Sequence, residues 1–178
     1  KRAEGGGKIG CQSNHTVKCE VLIMPQMNKG GKFIFGKSVI GENGAVQIPP
    51  QAIQEYRITA EGRVYLFTGS RSTGGFCVTR RGLVEPSKLG HILTENPDLL
   101  RYASACGAFI RYKGRSYCWT NISNEGAIML SESMMDFLEI SPGDELLSIR
   151  SSDIAFTMGA KGPLLERAKN YEGDIPIF

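Results

Sequence analysis

The chain has 178 residues, 41% hydrophobic and 22% charged, with a formal net charge of +3. That balance describes a folded protein of one domain or two small ones, and no stretch approaches the ~20 apolar residues that span a bilayer, so no membrane partner is expected. Five cysteines, at 11, 19, 77, 106 and 118, form no CxxC pair, which argues against a disulfide scaffold and points to a cytoplasmic setting.

In chain order, residues 1–15 are polar and Gly-rich at their start and are expected to form a flexible lead rather than a secretory signal. Cys11, His15 and Cys19 have a C-x3-H-x3-C spacing. The segment TVKCEVLIM reads as a strand, however, so the three would not share a helical face, and no metal is expected. Asn14 and Asn121 begin glycosylation patterns, which carry meaning only in a secreted context. Residues 16–36 are predicted to contain an N-terminal hairpin, TVKCEVLIM joined to KFIFGKSVI through a turn at 28–31.

Residues 37–82 form a first unit. Short strands at 37–39 and 45–48 flank Gly41-Glu42-Asn43-Gly44, where Asn-Gly supplies the positive φ angles of a tight hairpin. Pro49 and Pro50 end the strand and open a short helix, with Ala52, Ile53 and Tyr56 on one face. Ile58, a Gly-containing turn, a strand at 63–68, the loop GSRSTGG and a strand at 76–79 complete the unit. Residues 83–121 read as a connection with helices at 86–93 and 96–106, capped by Asn96, and a hairpin turning at Lys113-Gly114-Arg115.

Residues 122–162 repeat the first unit: Gly44, Ala45 and Ile58 align with Gly126, Ala127 and Ile140 at a shift of 82, which falls to 80 through loops. Ser131 caps the second short helix, and Met134, Met135 and Leu138 form its apolar stripe. Residues 163–178 form a C-terminal helix and tail. A unit of about 45 residues is too small to bury its own core, so the copies should interleave. They differ in charge: 37–82 sums to +3 and 122–162 to −5. Any polyanion surface should therefore be one-sided.

The segments NGAVQIPPQAIQEYRITAEGRVYLF and NEGAIMLSESMMDFLEISPGDELLSI resemble the swapped-hairpin unit of the AbrB, SpoVT and MazE family, present twice as in tandem members of the MraZ type. The resemblance implies a mainly β (α+β) fold in which two such units interleave into a pseudo-symmetric, barrel-like body with short helices. It also implies a DNA-binding transcription regulator. This chain departs from the family where DNA is contacted: arginine is expected after the turn glycine and a basic pair in the helix, but Ala45, Ala127, Ile53-Gln54 and Met135-Asp136 stand there. The second copy also lacks proline at Ser131. The cations left to meet phosphates of double-stranded DNA are Lys37, Arg57, Arg63, Arg71, Arg80 and Arg81.

Residues 69–75 lack the lysine and hydroxyl of a phosphate loop, although Arg71 and backbone N–H groups there, or Lys161 within 158–163, would suit an anion. Tyr112, Tyr117 and Trp119 lie among Arg111, Lys113 and Arg115, a pattern shared by base-stacking surfaces and by ordinary half-wet strands. No catalytic motif occurs, so neither enzyme activity nor a cofactor is expected. The sequence thus points to a DNA-binding regulator. The alternative is a non-enzymatic small-ligand or protein-binding module that keeps the scaffold without DNA, and strand edges would allow homo-oligomers.

Overall fold

A computed structural model describes residues 32–178; the lead, the TVKCEVLIM strand with its Cys11, His15 and Cys19 run, and the turn at 28–31 lie outside the described residues. Alternating apolar residues build the strands β1 (Ile34–Val39), β2 (Ala45–Gln47), β3 (Arg63–Thr68), β4 (Phe76–Thr79), β5 (Ile110–Tyr112), β6 (Arg115–Asn121), β7 (Ala127–Met129), β8 (Glu145–Arg150) and β9 (Phe156–Gly159). The helices are short: α1 (Pro50–Tyr56), α2 (Arg81–Val84), α3 (His91–Glu95), α4 (Pro97–Leu100), α5 (Glu132–Leu138) and α6 (Pro163–Lys169). The fold is mainly β.

Seven strands form one antiparallel sheet in the order β1-β8-β9-β4-β3-β6-β5, and β2 pairs with β7 in a separate ribbon. The chain turns at Gly41-Glu42-Asn43-Gly44, but β1 and β2 do not form the expected hairpin ladder. β1 pairs with β8, and β6, its counterpart in the second half, pairs with β3. Both β1 and β6 thus pair with a strand of the other half, while β3–β4, β5–β6 and β8–β9 pair within a half.

The same exchange recurs in the backbone. Ile48 N donates to Gly126 O at 3.0 Å and Leu130 N to Gly44 O at 2.9 Å, while Ile40 N reaches Asp144 O and Ile122 N reaches Gly62 O. Gly44 has φ 80°, and a Cβ there would lie 2.1 Å from Leu130 O, so its glycine is demanded by the approach of the other half as well as by the turn.

The expected barrel-like body is not a closed barrel. Its sheet is open, with β1 and β5 at the ends of the order. The β1 edge is covered from within the chain: Lys37 N donates to Pro176 O at 2.8 Å and Phe178 N to Lys37 O at 2.8 Å, so the tail runs parallel to β1. Gly36 makes room for the Phe178 ring, which a Cβ would meet at 2.7 Å.

Strand alternation divides the interior into layers. Val64, Leu66, Phe76, Val78, Cys118, Phe156 and Met158 face the ribbon and the apolar sides of α1 and α5, forming the main core. On the other face, α2, α3 and α4 cover Tyr65 and Trp119, while α6 covers Ile34, Leu147 and Ile149. Between these two covers lie Phe67 and Cys77.

The connection is less helical than its sequence indicates. Residues 86–90 are turns, and the helix expected over 96–106 ends at Leu100 because Tyr102 adopts φ 56° and Trp119 Nε1 claims Ser104 O at 3.0 Å. Asn96 does not cap α4. Its Nδ2 donates backward to Ile92 O at 2.7 Å, closing the end of α3. Ser131 does cap α5, accepting from Met134 N at 3.3 Å.

Candidate functional site

The six cations selected from sequence do not form a continuous strip. Lys37 is largely covered and lies 3.7 Å from Glu145. Three strands separate β1 from β3, placing Lys37 about 19 Å from the strand that carries Arg63 at a spacing of ~4.8 Å. Arg80 binds Glu61 at 3.2 Å and donates through Nε to Tyr56 O at 3.1 Å; Arg81 binds Glu85 at 3.3 Å. The Arg63 guanidinium sits over the Tyr102 ring, 4.7 Å from its centroid, and 5.4 Å from that of Trp119. Arg57 and Arg71 are exposed and form no ion pair among the described residues.

Antiparallel pairing brings Arg63, Arg80 and Arg81 to one end of the sheet, and the Arg80–Tyr56 bond places Arg57 nearby. Arg71 lies in the loop at the opposite end of the β3–β4 pair. The outer surfaces of α1 and α5 expose Gln54, Glu55, Glu132 and Asp136, with Arg57 at the end of α1. Beside them Phe137 and Met129 are also exposed. This surface has an acidic balance.

The two glycine-bearing loops are brought together, in a way that consumes their donors. Ala160 N and Lys161 N both donate to Thr73 O at 2.9 Å, while Thr73 N and Gly74 N donate to Ser70 O. These four backbone N–H groups are therefore occupied within the protein and not free for an anion. The adjoining depression, about 620 Å³, carries Lys161 and Lys169 but also Glu139, Asp144 and Glu145. Its mixed charge gives no preference for an anion.

The aromatic strand is likewise an interior feature. Trp119 is buried, and Tyr102 packs between it and Tyr65, with ring centroids 5.5 Å apart in each pair. Tyr112 donates to Glu95 at 2.7 Å and lies 3.0 Å from His91 Nδ1. These rings support α3 and α4 and do not present a row of open faces.

A more apolar concavity lies on the second face of the sheet, beside the α2–α4 cover. It has two chambers. The inner one, about 300 Å³, is walled by Tyr65 and Phe67 from β3 and by Val84, Ile92, Leu93 and Leu99 from α2–α4. The outer one, about 310 Å³, is rich in hydroxyls from Ser70, Thr73, Ser151, Ser152 and Thr157, with Lys32 at its wall. Phe67, Leu89, Arg115 and Ile154 line both chambers.

Arg115 stood in the sequence as part of an expected turn and as one of the cations among Tyr112, Tyr117 and Trp119; it heads β6. Alternation puts it on the same face as Tyr117 and Trp119, and its guanidinium lies 5.5 Å from the Phe67 ring centroid. That shared face was the available sequence signal. Among the described residues Arg115 forms no ion pair, and no Asp or Glu lines either chamber.

The cleft's cysteine and tyrosine are held in their neutral forms. Burial pushes the Cys77 thiol upward, only partly offset by the Thr157 hydroxyl at 3.3 Å. Burial also raises the Tyr117 phenol, against the opposing pull of Arg115. On the far side of the sheet, burial moves Cys118 up to about 12. At neutral pH these thiols are protonated and poorly nucleophilic. Ser151 bonds Thr157. No group of three or more His, Cys, Asp and Glu side chains among the described residues is arranged to hold a metal ion, and no described helix is long and apolar enough to cross a membrane.

No protein-family model matches the chain, and a search of curated proteins finds no match.

Proposed function

We propose that this protein is a non-enzymatic small-ligand-binding module built on an AbrB-like swapped-hairpin scaffold, with the two-chambered cleft as its binding site. The scaffold reading is supported by the reciprocal pairings of β1 with β8 and β6 with β3, together with the β2–β7 ribbon between halves. The observation carrying the functional reading is the cleft itself: an apolar chamber of ligand size joined to a hydroxyl-lined one, with Arg115 between them. The described surface at the positions that usually contact DNA in the resembled family supplies no opposing cationic set. Its exposed groups include Glu132 and Asp136.

The test is titration with the uncharged fluorescent probe Nile red, which reports an apolar chamber without reference to any head group. Saturable one-to-one binding is expected in the full chain. Leu89 stands at the rim, 39% exposed, so Leu89→Trp should obstruct entry without overfilling the core and weaken binding at least tenfold. Equal, non-saturating signals from both proteins would refute the site.

A DNA-binding regulator is the second reading, favoured by the gathering of Arg57, Arg63, Arg80 and Arg81 toward one end of the sheet. It requires a salt-dependent shift of duplex DNA, weakened by charge reversal at Arg80 and Arg81. Each phosphate neutralised contributes about 0.9 to the salt slope. Unchanged DNA migration beside saturable probe binding supports the ligand reading.

A further inference from the structure

We propose that the cleft takes an amphipathic anion: one medium-length alkyl or acyl chain in the inner chamber, with a carboxylate held by Arg115 at the partition. This deepens the ligand-binding reading and rests on it.

The two chambers demand opposite chemistry from the two ends of a ligand. The inner walls include Val84, Ile92, Leu93 and Leu99, whose contact with a polar chain would leave its groups without hydrogen-bond partners. The Tyr65 hydroxyl there already donates to Leu99 O at 3.1 Å, and Thr79 Oγ1 donates to Ile154 O. These deeper polar groups are committed to the fold, so the chamber selects hydrocarbon. Its roughly 300 Å³ lies at the small end of ligand-pocket sizes, which suits a single medium-length chain.

The outer chamber supplies the complementary end. Arg115 and Lys32 contribute positive charge without a lining carboxylate among the described residues. Such a site attracts an anion because two cations face it with no opposing carboxylate along its walls. Phe67 supports one side of the Arg115 guanidinium, which leaves its edge donors for a carboxylate. Hydroxyls from Ser70, Thr73 and Ser151 surround the same space. Their mutual bonds, including Ser70 to Thr73 at 2.9 Å, leave acceptor and donor capacity for a head group or its water shell. The electropositive partition and apolar interior thus read the two parts of one molecule.

Calorimetric titration of the full chain with octanoate, decanoate, 1-decanol and decyl phosphate tests the assignment. Decanoate should bind roughly fourfold more tightly per added methylene than octanoate. It should bind at least tenfold more tightly than decanol, and Arg115→Leu should erase that advantage, so that acid and alcohol bind the variant alike. Arg115→Lys should restore part of the preference. Decyl phosphate binding more tightly than decanoate, with the same Arg115 dependence, overturns the carboxylate in favour of a phosphate head group. Equal affinity for acid and alcohol, or unchanged acid affinity in Arg115→Leu, overturns the head-group assignment while the cavity reading survives. Failure of every chain-bearing probe to bind overturns both.

Discussion

Tyr56 links the end of α1 to the second half of the chain through one hydroxyl. It donates to Ser152 O at 2.7 Å, and its ring packs 5.1 Å from Phe156, centroid to centroid. Burial pushes its phenol up to about 12 from an ordinary 10, because the folded interior disfavors phenolate. A folded-state pKa above the unfolded value contributes stability that is complete below pH 10 and drains away as pH rises toward about 12. Urea melts should therefore show falling stability across that window. Tyr56→Phe should cost about 1 kcal/mol at pH 7 and make the alkaline slope shallower. Other raised tyrosines, including Tyr65 and Tyr102, will retain part of the slope. An unchanged slope in the variant would remove Tyr56 from this account. The sequence marked Tyr56 as a buried face of α1, but the acceptor lies 96 residues away and is invisible to local spacing.

At the scale of elements, β1 shows how one edge is managed. An uncovered strand edge presents unpaired N–H and carbonyl groups to other chains. Here the tail occupies Lys37 and Val39, with Val39 N donating to Phe178 O at 3.3 Å. The close fit at Gly36 makes this contact testable: Gly36→Ala would place a methyl group against Phe178 and Pro176 O. Faster amide hydrogen exchange at Lys37 and Val39 is expected, with β4 remaining protected. Unaltered exchange at both β1 amides would show that the tail does not protect this edge. Strand periods made β1, β3 and β8 recognizable in sequence, and Ser131 marked the start of α5. The parallel tail was not recognizable, since three residues, Pro176 to Phe178, offer no strand period.

The whole molecule depends on exchange between halves. Deleting residues 122–178 removes β8 from β1, β7 from β2 and β9 from β4. It also removes Ile128, Leu130, Met134, Phe156 and Met158 from the main core. The shortened chain should lose a cooperative monomeric melt and either unfold or associate so that a second copy supplies the missing strands. Size-exclusion chromatography with light scattering, paired with thermal circular dichroism, distinguishes these outcomes. A monomer with a sharp melt would contradict mutual dependence. The same exchange governs charge: Glu55 meets Arg150 and Lys37 meets Glu145, although each partner lies in the other half. Totals of +3 and −5 therefore do not translate directly into two separate electrostatic surfaces.

Local sequence determined the alternating strands, the turn at Gly44, the apolar faces of α1 and α5, and the repetition of these features. Those properties arise from φ/ψ preferences and side-chain periods within a few residues. Only tertiary structure decided which half supplied each strand partner, which arginines met carboxylates, and where Arg115 stood between two chambers. Backbone donors and acceptors recur along every strand, so alternation by itself does not select a partner. That choice is made when distant side chains fill one core, and the cleft lies on the opposite sheet face, where α2–α4 stand over Tyr65 and Phe67.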